Sequence, residues 1–147
     1  MSHPHLEFLQ RWFERAWTGR DEGAIDELIH PEASLYSAAG AEPMSRGEFK
    51  AFHRAVLQAY SRVEATLSQP ICEGEWISVH VELRLVPRGA DQQPSEARAL
   101  QGLLRARVRE GRIVSAMDSW DWPRFLEARG LLSSEALTEA LLGATPS

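Results

Sequence analysis

The sequence predicts an α+β fold, with helices first and a sheet after them. Three observations predict it. Apolar residues recur at helical spacing as far as Ser61. From Val63 to Trp120 the pattern changes to strict alternation, the signature of strands buried on one face. Finally, Gly111 to Leu132 reads GRIVSAMDSWDWPRFLEARGLL: a turn, a strand presenting an acidic residue among large aromatics, and a helix opened by proline. At 147 residues the chain has the length of one domain, since domains cluster near ~100–150 residues.

Leu6, Leu9, Trp12, Phe13, Ala16 and Trp17 place one apolar stripe on a helix over 5–18, which Gly19 stops. Asp21 is a suitable N-cap for a second helix through Ile25, Leu28 and Ile29, ended by Pro31 after His30. A short strand follows over 33–38 and sets Leu35 and Tyr36 on opposite faces. Residues 40–44 read as a loop. Ser45 and Glu48 then have the spacing of a capping box, predicting a helix over 46–61 with Phe49, Phe52 and Val56 on its packing stripe and His53 beside them.

Strands are predicted over 63–67, 70–75 and 76–86. In the last of these Ile77, Val79, Val81, Leu83 and Leu85 share one face, and Trp76, Ser78, His80, Glu82 and Arg84 share the other. The polar stretch 89–96 is a hairpin connection to a strand over 97–109. Glu110 and Gly111 turn the chain into a final strand. There Val114, Ala116, Asp118, Trp120 and Trp122 point one way, while Ser115, Met117, Ser119 and Asp121 point the other. Pro123 is placed to start a helix through Phe125 and Leu126, and Gly130 closes it. A further helical piece over 133–142 carries Leu137, Leu141 and Leu142, placed to cover a pocket mouth or pack on a partner.

With 21 acidic against 16 basic residues the net charge is −5, which gives no general attraction to nucleic acid or to an anionic membrane. No run approaches the ~20 apolar residues of a membrane span, and the N-terminus lacks the basic and apolar regions of a signal peptide, so a cytoplasmic protein is expected. The lone cysteine, Cys72, reads as a small packed hydrophobe. The five histidines, at 3, 5, 30, 53 and 80, show no metal-binding spacing; no metal or other cofactor is expected. Nucleophile-elbow, phosphate-loop and dinucleotide motifs are absent from the sequence.

The C-terminal segment, with Gly111, Ile113, Asp118, Trp120, Asp121, Phe125 and Gly130, resembles the tail of the NTF2-like superfamily, in particular its SnoaL-like polyketide cyclase and ketosteroid isomerase-related branch. FLQRWFERAWTGRDEGAIDELIHPEASLYSAAG resembles that family's opening helices and first strand, and GEFKAFHRAVLQAY its third helix. The resemblance spans about 6–132 and leaves 133–142 as a C-terminal extension. It implies a cone-shaped, cystatin-like fold: helices packed on a strongly curved mixed sheet that encloses a pocket.

Such a pocket suits a small apolar or carbonyl-containing ligand. Asp118 and His80 are the candidate catalytic pair. The resemblance implies the acidic role for Asp118, a base removing a proton next to a carbonyl, with Asp121 as its rival if the strand register slips. Face geometry points to His80, or to Tyr36, as donor to the developing enolate oxygen. Tyr36, His53, Trp12, Trp76, Glu82, Arg105 and Trp120 are the candidate ligand-binding residues. Asp118, Arg105 and Glu82 also offer an imitation of the Asp–Arg–Asp set by which epoxide hydrolases activate water. The competing expectation is a noncatalytic ligand-binding or dimerisation module, because this fold supports both. If the polar face of the 76–86 strand lines the pocket, its apolar face needs a cover, and a homodimer through the outer sheet face is expected.

Overall fold

A computed structural model of the chain describes residues 2–36, 42–89 and 98–143. It begins with α1 (Pro4–Phe13), capped by His3, whose Nδ1 accepts the His5 N–H at 3.1 Å. Pro4 stands in the first turn, where a missing N–H costs no hydrogen bond. The same stretch then widens into a π turn (Glu14–Thr18), closed by the Gly19 N–H reaching back to the Glu14 carbonyl at 2.7 Å. α2 (Gly23–Leu28) is shorter than expected. The chain is already extended at Ile29 and runs as β1 (Ile29–Tyr36), and Pro31 is tolerated because β1 is an edge strand.

α3 (Arg46–Ala59) starts on a complete capping box. Ser45 Oγ accepts the Glu48 N–H at 3.1 Å, and Glu48 Oε1 accepts the Ser45 N–H at 3.3 Å. The helix passes directly into β2 (Tyr60–Glu73) with no loop between. Arg20 serves this junction, donating to the carbonyls of Leu57, Tyr60 and Ser61, and Arg88 donates to Leu57 at 2.9 Å. Such side chains satisfy carbonyls that a helix end leaves unpaired.

β3 (Trp76–Pro87), β4 (Arg98–Arg109) and β5 (Arg112–Trp120) complete a five-stranded sheet of order β1-β5-β4-β3-β2, antiparallel except for the β1–β5 pair. The two strands expected over 63–75 are one, with an irregularity between Ser68 and Ile71 instead of a break. α4 (Trp122–Ala128) is capped by Asp121, whose Oδ1 accepts the Arg124 N–H at 3.2 Å. α5 (Ser134–Leu141) buries no residue and leaves Leu141 and Leu142 exposed. The expected strand end at 37–38, residues 40–41 of the expected loop and nearly all of the 89–96 connection lie outside the described residues, while Met44, expected in that loop, pairs antiparallel with Leu35. No helix among the described residues is long and apolar enough to cross a membrane.

Two expectations need correction. The sheet is not the strongly curved wall of a cone: it is open, with β1 and β2 as its two edges. Its centre supplies a reason. The β3–β4 ladder runs from Trp76↔Arg107 to Leu85↔Arg98 without a register shift, so it lacks the bulges that bend strands. The sheet faces are also reversed from the expected arrangement. Ile77, Val79, Val81 and Leu85 are buried in one core with Leu9, Ile25 and Leu28 from the helices, whereas Trp76, Glu82 and Arg84 are exposed and His80 half-buried. Burying a Val, Ile or Leu side chain contributes about 1.5–3 kcal/mol, while turning Glu82 and Arg84 inward would desolvate charges. The apolar face therefore meets the apolar helix stripes.

Candidate functional site

Between the helices and the inner sheet face lies a cavity of about 300 Å³. Its sheet wall is aliphatic, from Leu83 and Leu85 of β3, Leu100, Leu104 and Ala106 of β4, and Ile113 and Ala116 of β5. Opposite it stands an aromatic wall. α1 supplies Trp12 and Phe13, the π turn supplies Trp17, and α3 supplies Phe49 and Phe52. Trp12 and Trp17 both lie against Phe49, at 6.0 and 6.2 Å between ring centres. Trp120, Trp122 and Phe125 close a further side, where the last two meet edge to face at 5.9 Å.

Asp118 lies in this wall. Register sets it beside Leu104 on the face shared by Ala116 and Trp120, and it is half-buried. It is the only residue among the described lining that carries a formal charge; Tyr36 and Tyr60 add phenol groups. Tyr36 is paired in register with outward-facing Met117 and is 39% exposed, so it contributes from the solvent margin. Trp120 depends on Gly102, its partner on β4. A Cβ at Gly102 would lie 2.4 Å from Trp120 Cε3, so the indole packs directly on glycine backbone.

The expected cluster is divided by the sheet. Asp118, Tyr36, Trp12 and Trp120 line the cavity. His80, Glu82, Trp76 and Arg105 do not: they occupy the outer face, because strand alternation couples them to one another and opposes them to the buried Val79 and Val81. There His80 Nδ1 hydrogen-bonds with Ser68 Oγ at 3.3 Å, and the Arg105 guanidinium stacks over Trp76 at 5.4 Å. His53 is fully buried behind the aromatic wall. Its Nε2 donates to the Ala16 carbonyl in the π turn at 2.6 Å, and its ring packs on Trp17 at 4.7 Å. Asp121, the rival carboxylate, is occupied as the α4 cap. Leu137, Leu141 and Leu142 do not line the cavity.

Sequence reasoning passed over Trp17, Phe49, Phe52 and Tyr60 as site residues. Their signal is present in the apolar stripes of the first and third helices, from which only Trp12 and the neighbouring His53 are expected as ligand-binding residues. Gly102 carried a signal too, an isolated glycine inside a strand pattern, which marks close approach of a neighbouring group.

A wall so apolar, with one carboxylate and two phenols, can hold a small hydrophobic molecule and fix one polar group of it. The model of the SnoaL-like domain matches residues 9–116, ending two residues before Asp118. A search of curated proteins finds no match. Among solved structures the chain is similar to wild-type IdmH, a candidate polyketide cyclase from Streptomyces antibioticus, with 19% identity and a TM-score of 0.72 over 87% of this chain and 99% of that one. It is similar to AclR, a candidate hydroxylase from Streptomyces galilaeus, with 17% identity and a TM-score of 0.72 over 95% of each chain. A third is a hypothetical protein with a ketosteroid isomerase-like fold from Catenulispora acidiphila, in complex with trimethylamine, with 18% identity and a TM-score of 0.71 over 91% of this chain and 98% of that one. At these identities the likeness is one of fold.

Proposed function

The chain belongs to the SnoaL-like domain family, and from that premise we propose that it takes a small, largely apolar carbonyl compound into the cavity and uses Asp118 as a general base. The observation that carries this reading is the position of Asp118, the one carboxylate among the described lining residues, in a wall of indole, phenyl and aliphatic side chains. Asp118 accepts a proton from carbon next to the carbonyl, and the electron pair moves onto oxygen as an enolate. The Tyr36 hydroxyl, one of the two phenols among the described lining residues, hydrogen-bonds that oxygen in place of His80, which is on the outer face. Where the substrate has a β,γ double bond, the enolate is a dienolate, and return of the proton from Asp118 at the γ carbon shifts the double bond; where it has a second carbonyl, attack of the enolate carbon on that carbonyl closes a ring, and the alkoxide formed takes the proton back from Asp118.

The test uses 2-tetralone, a bicyclic ketone, and follows exchange of its α-protons in D2O by NMR. Wild-type protein accelerates exchange, and Asp118→Asn reduces the acceleration by about 10²-fold or more, the usual contribution of a positioned base. Equal exchange by wild type and variant overturns the reading.

A second reading has one observation in its favour. With His80 outside, the described lining contains no imidazole, so Asp118 orients a ligand without chemistry in a noncatalytic binding module. Bound ketone with no accelerated exchange would identify that case. Water activation of the epoxide hydrolase kind is not pursued, because Arg105 and Glu82 are separated from Asp118 by the sheet itself. We also propose a homodimer through the outer sheet face, with its test at the scale of the whole molecule below.

A further inference from the structure

The part of the cavity wall that carries Trp17 is built on the π turn, and turns of this kind often accompany functional sites. Roughly one residue more than an α turn holds points the side chains that follow about 100° away from where α1 would have placed them. The backbone of this turn is not self-sufficient. The amides beyond it serve other carbonyls: the Gly19 N–H reaches Glu14 at 2.7 Å, the Arg20 N–H reaches Trp17 at 3.3 Å and the Asp21 N–H reaches Arg15 at 3.0 Å. The carbonyl of Ala16, a residue with no exposure to solvent, takes its hydrogen bond from His53 Nε2 at 2.6 Å. A buried carbonyl without a donor is costly, so the turn keeps its form on a donor supplied by α3.

The imidazole itself does not line the cavity; it is fully buried one layer behind it. A carbonyl can only accept, which fixes the proton on Nε2 and leaves Nδ1 bare, and Nδ1 has no hydrogen-bond partner among the described residues. A single N–H in one place is therefore what the fold takes from this polar ring. Its other contact is with Trp17, at 4.7 Å between ring centres, and Phe49, four positions earlier on the same face of α3, meets the same indole edge-on at 6.2 Å. Trp17 is thus held by its own turn, by His53 and by Phe49.

From this we infer that His53 is a positioning residue of the ligand site: its Nε2–H, held on the Ala16 carbonyl, keeps the π turn and so sets the Trp17 indole against whatever occupies the cavity. The inference rests on the reading of the cavity as the ligand site but not on Asp118 acting as a base. Loss of that N–H displaces one aromatic wall and leaves Asp118, on the sheet wall, where it is, so the effect falls on ligand affinity.

The test replaces His53 in the full chain by Leu, which has no donor, by Asn, whose amide is one methylene too short, and by Gln, whose amide N–H reaches about as far as Nε2. Circular dichroism checks the fold of each. Protein carrying 5-fluorotryptophan is followed by 19F NMR, the Trp17 signal among the five tryptophans being assigned by its loss in Trp17→Phe. Affinity for 2-tetralone is measured by saturation-transfer NMR. His53→Leu and His53→Asn are expected to move the Trp17 signal and to weaken binding by about tenfold or more, about 1.4 kcal/mol, while His53→Gln keeps both signal and affinity. If His53→Leu does not fold, the Asn and Gln variants carry the comparison. An unmoved Trp17 signal overturns the inference and leaves the ligand site standing, as does a moved signal with unchanged affinity, or a Gln variant that behaves as the Asn variant does. A wild type that binds no 2-tetralone removes the ligand-site reading, and the inference with it.

Discussion

Gly102 is the residue on which the shape of the cavity's tryptophan side depends. A methyl group there would lie 2.4 Å from Trp120 Cε3 and 2.5 Å from the Ser119 carbonyl oxygen, and the latter is backbone that cannot swing aside. Gly102→Ala therefore forces Trp120 off β4 and strains the ladder, at a cost on the order of 1–3 kcal/mol, the usual range for overpacking. Thermal denaturation is expected to show the loss, and the tryptophan emission to shift as Trp120 changes surroundings; an unaltered melting temperature and spectrum would refute the packing described. At this scale the sequence was partly legible. Alternation along the last strand put Asp118 and Trp120 on one face, as the structure has them. It also put His80 and Glu82 together, correctly. Period two says which residues share a face and is silent on which face turns inward, so joining His80 to Asp118 required a choice that alternation does not make.

Among the elements, the β2–β3 turn is tied to β4 by the Glu75 carbonyl, which accepts the Val108 N–H at 2.8 Å, and by the Glu75 carboxylate. Glu75 accepts from Arg107 Nε at 2.9 Å and from Arg109 Nε at 2.9 Å, reaching two residues of the strand beyond its own hairpin partner. Arg109 and then Arg107 hold its carboxyl at about 2, below the ordinary 4.5. Because the folded value lies under the unfolded one, the stabilisation is fully present above about 4.5 and is lost as pH falls towards about 2. Glu75→Gln is expected to lower the melting temperature at neutral pH, with the difference from wild type closing across that acid range. A difference independent of pH would mean that packing, and not the ion pairs, joins the turn to β4. Element boundaries were most legible where side chains cap backbone. Ser45 and Glu48 announced α3 because both halves of the capping box are local. Pro31 misled for the opposite reason: it marked the end of a helix that had already stopped at Leu28, and whether a strand tolerates proline depends on its being at an edge, a property of the sheet and not of the segment. The π turn was invisible because its residues have ordinary helical character; what accompanies it is a bond from His53, 37 positions away.

Across the whole molecule, the reversal of the sheet faces changes what a dimer would look like. Ile77, Val79, Val81 and Leu85 are covered by the chain's own helices and have nothing left to offer a partner. The outer face presents Leu103 at 62%, Met117 at 44% and Ile71 at 71% exposure. Register aligns Ile71, Ser78, Arg105 and Met117 in one row across four strands, with apolar groups at both ends and a cation between them, and Tyr36 of β1 follows at the cavity margin. Glu64, Glu82, Arg84 and Arg105 add both signs of charge to this face, so it can meet a copy of itself about a twofold axis with opposite charges apposed. Leu103→Glu combined with Met117→Glu tests this without touching the cavity, since both side chains point away from it. Light scattering is expected to give twice the chain mass for wild type and the single-chain mass for the double variant, with the exchange of 2-tetralone α-protons retained. If the wild type is already monomeric at high micromolar concentration, the outer face is solvent surface, and its apolar residues are the scattered kind that need no partner. If the double variant stays dimeric, association runs through another surface, of which the exposed Leu141 and Leu142 at the end of α5 are the next to be replaced.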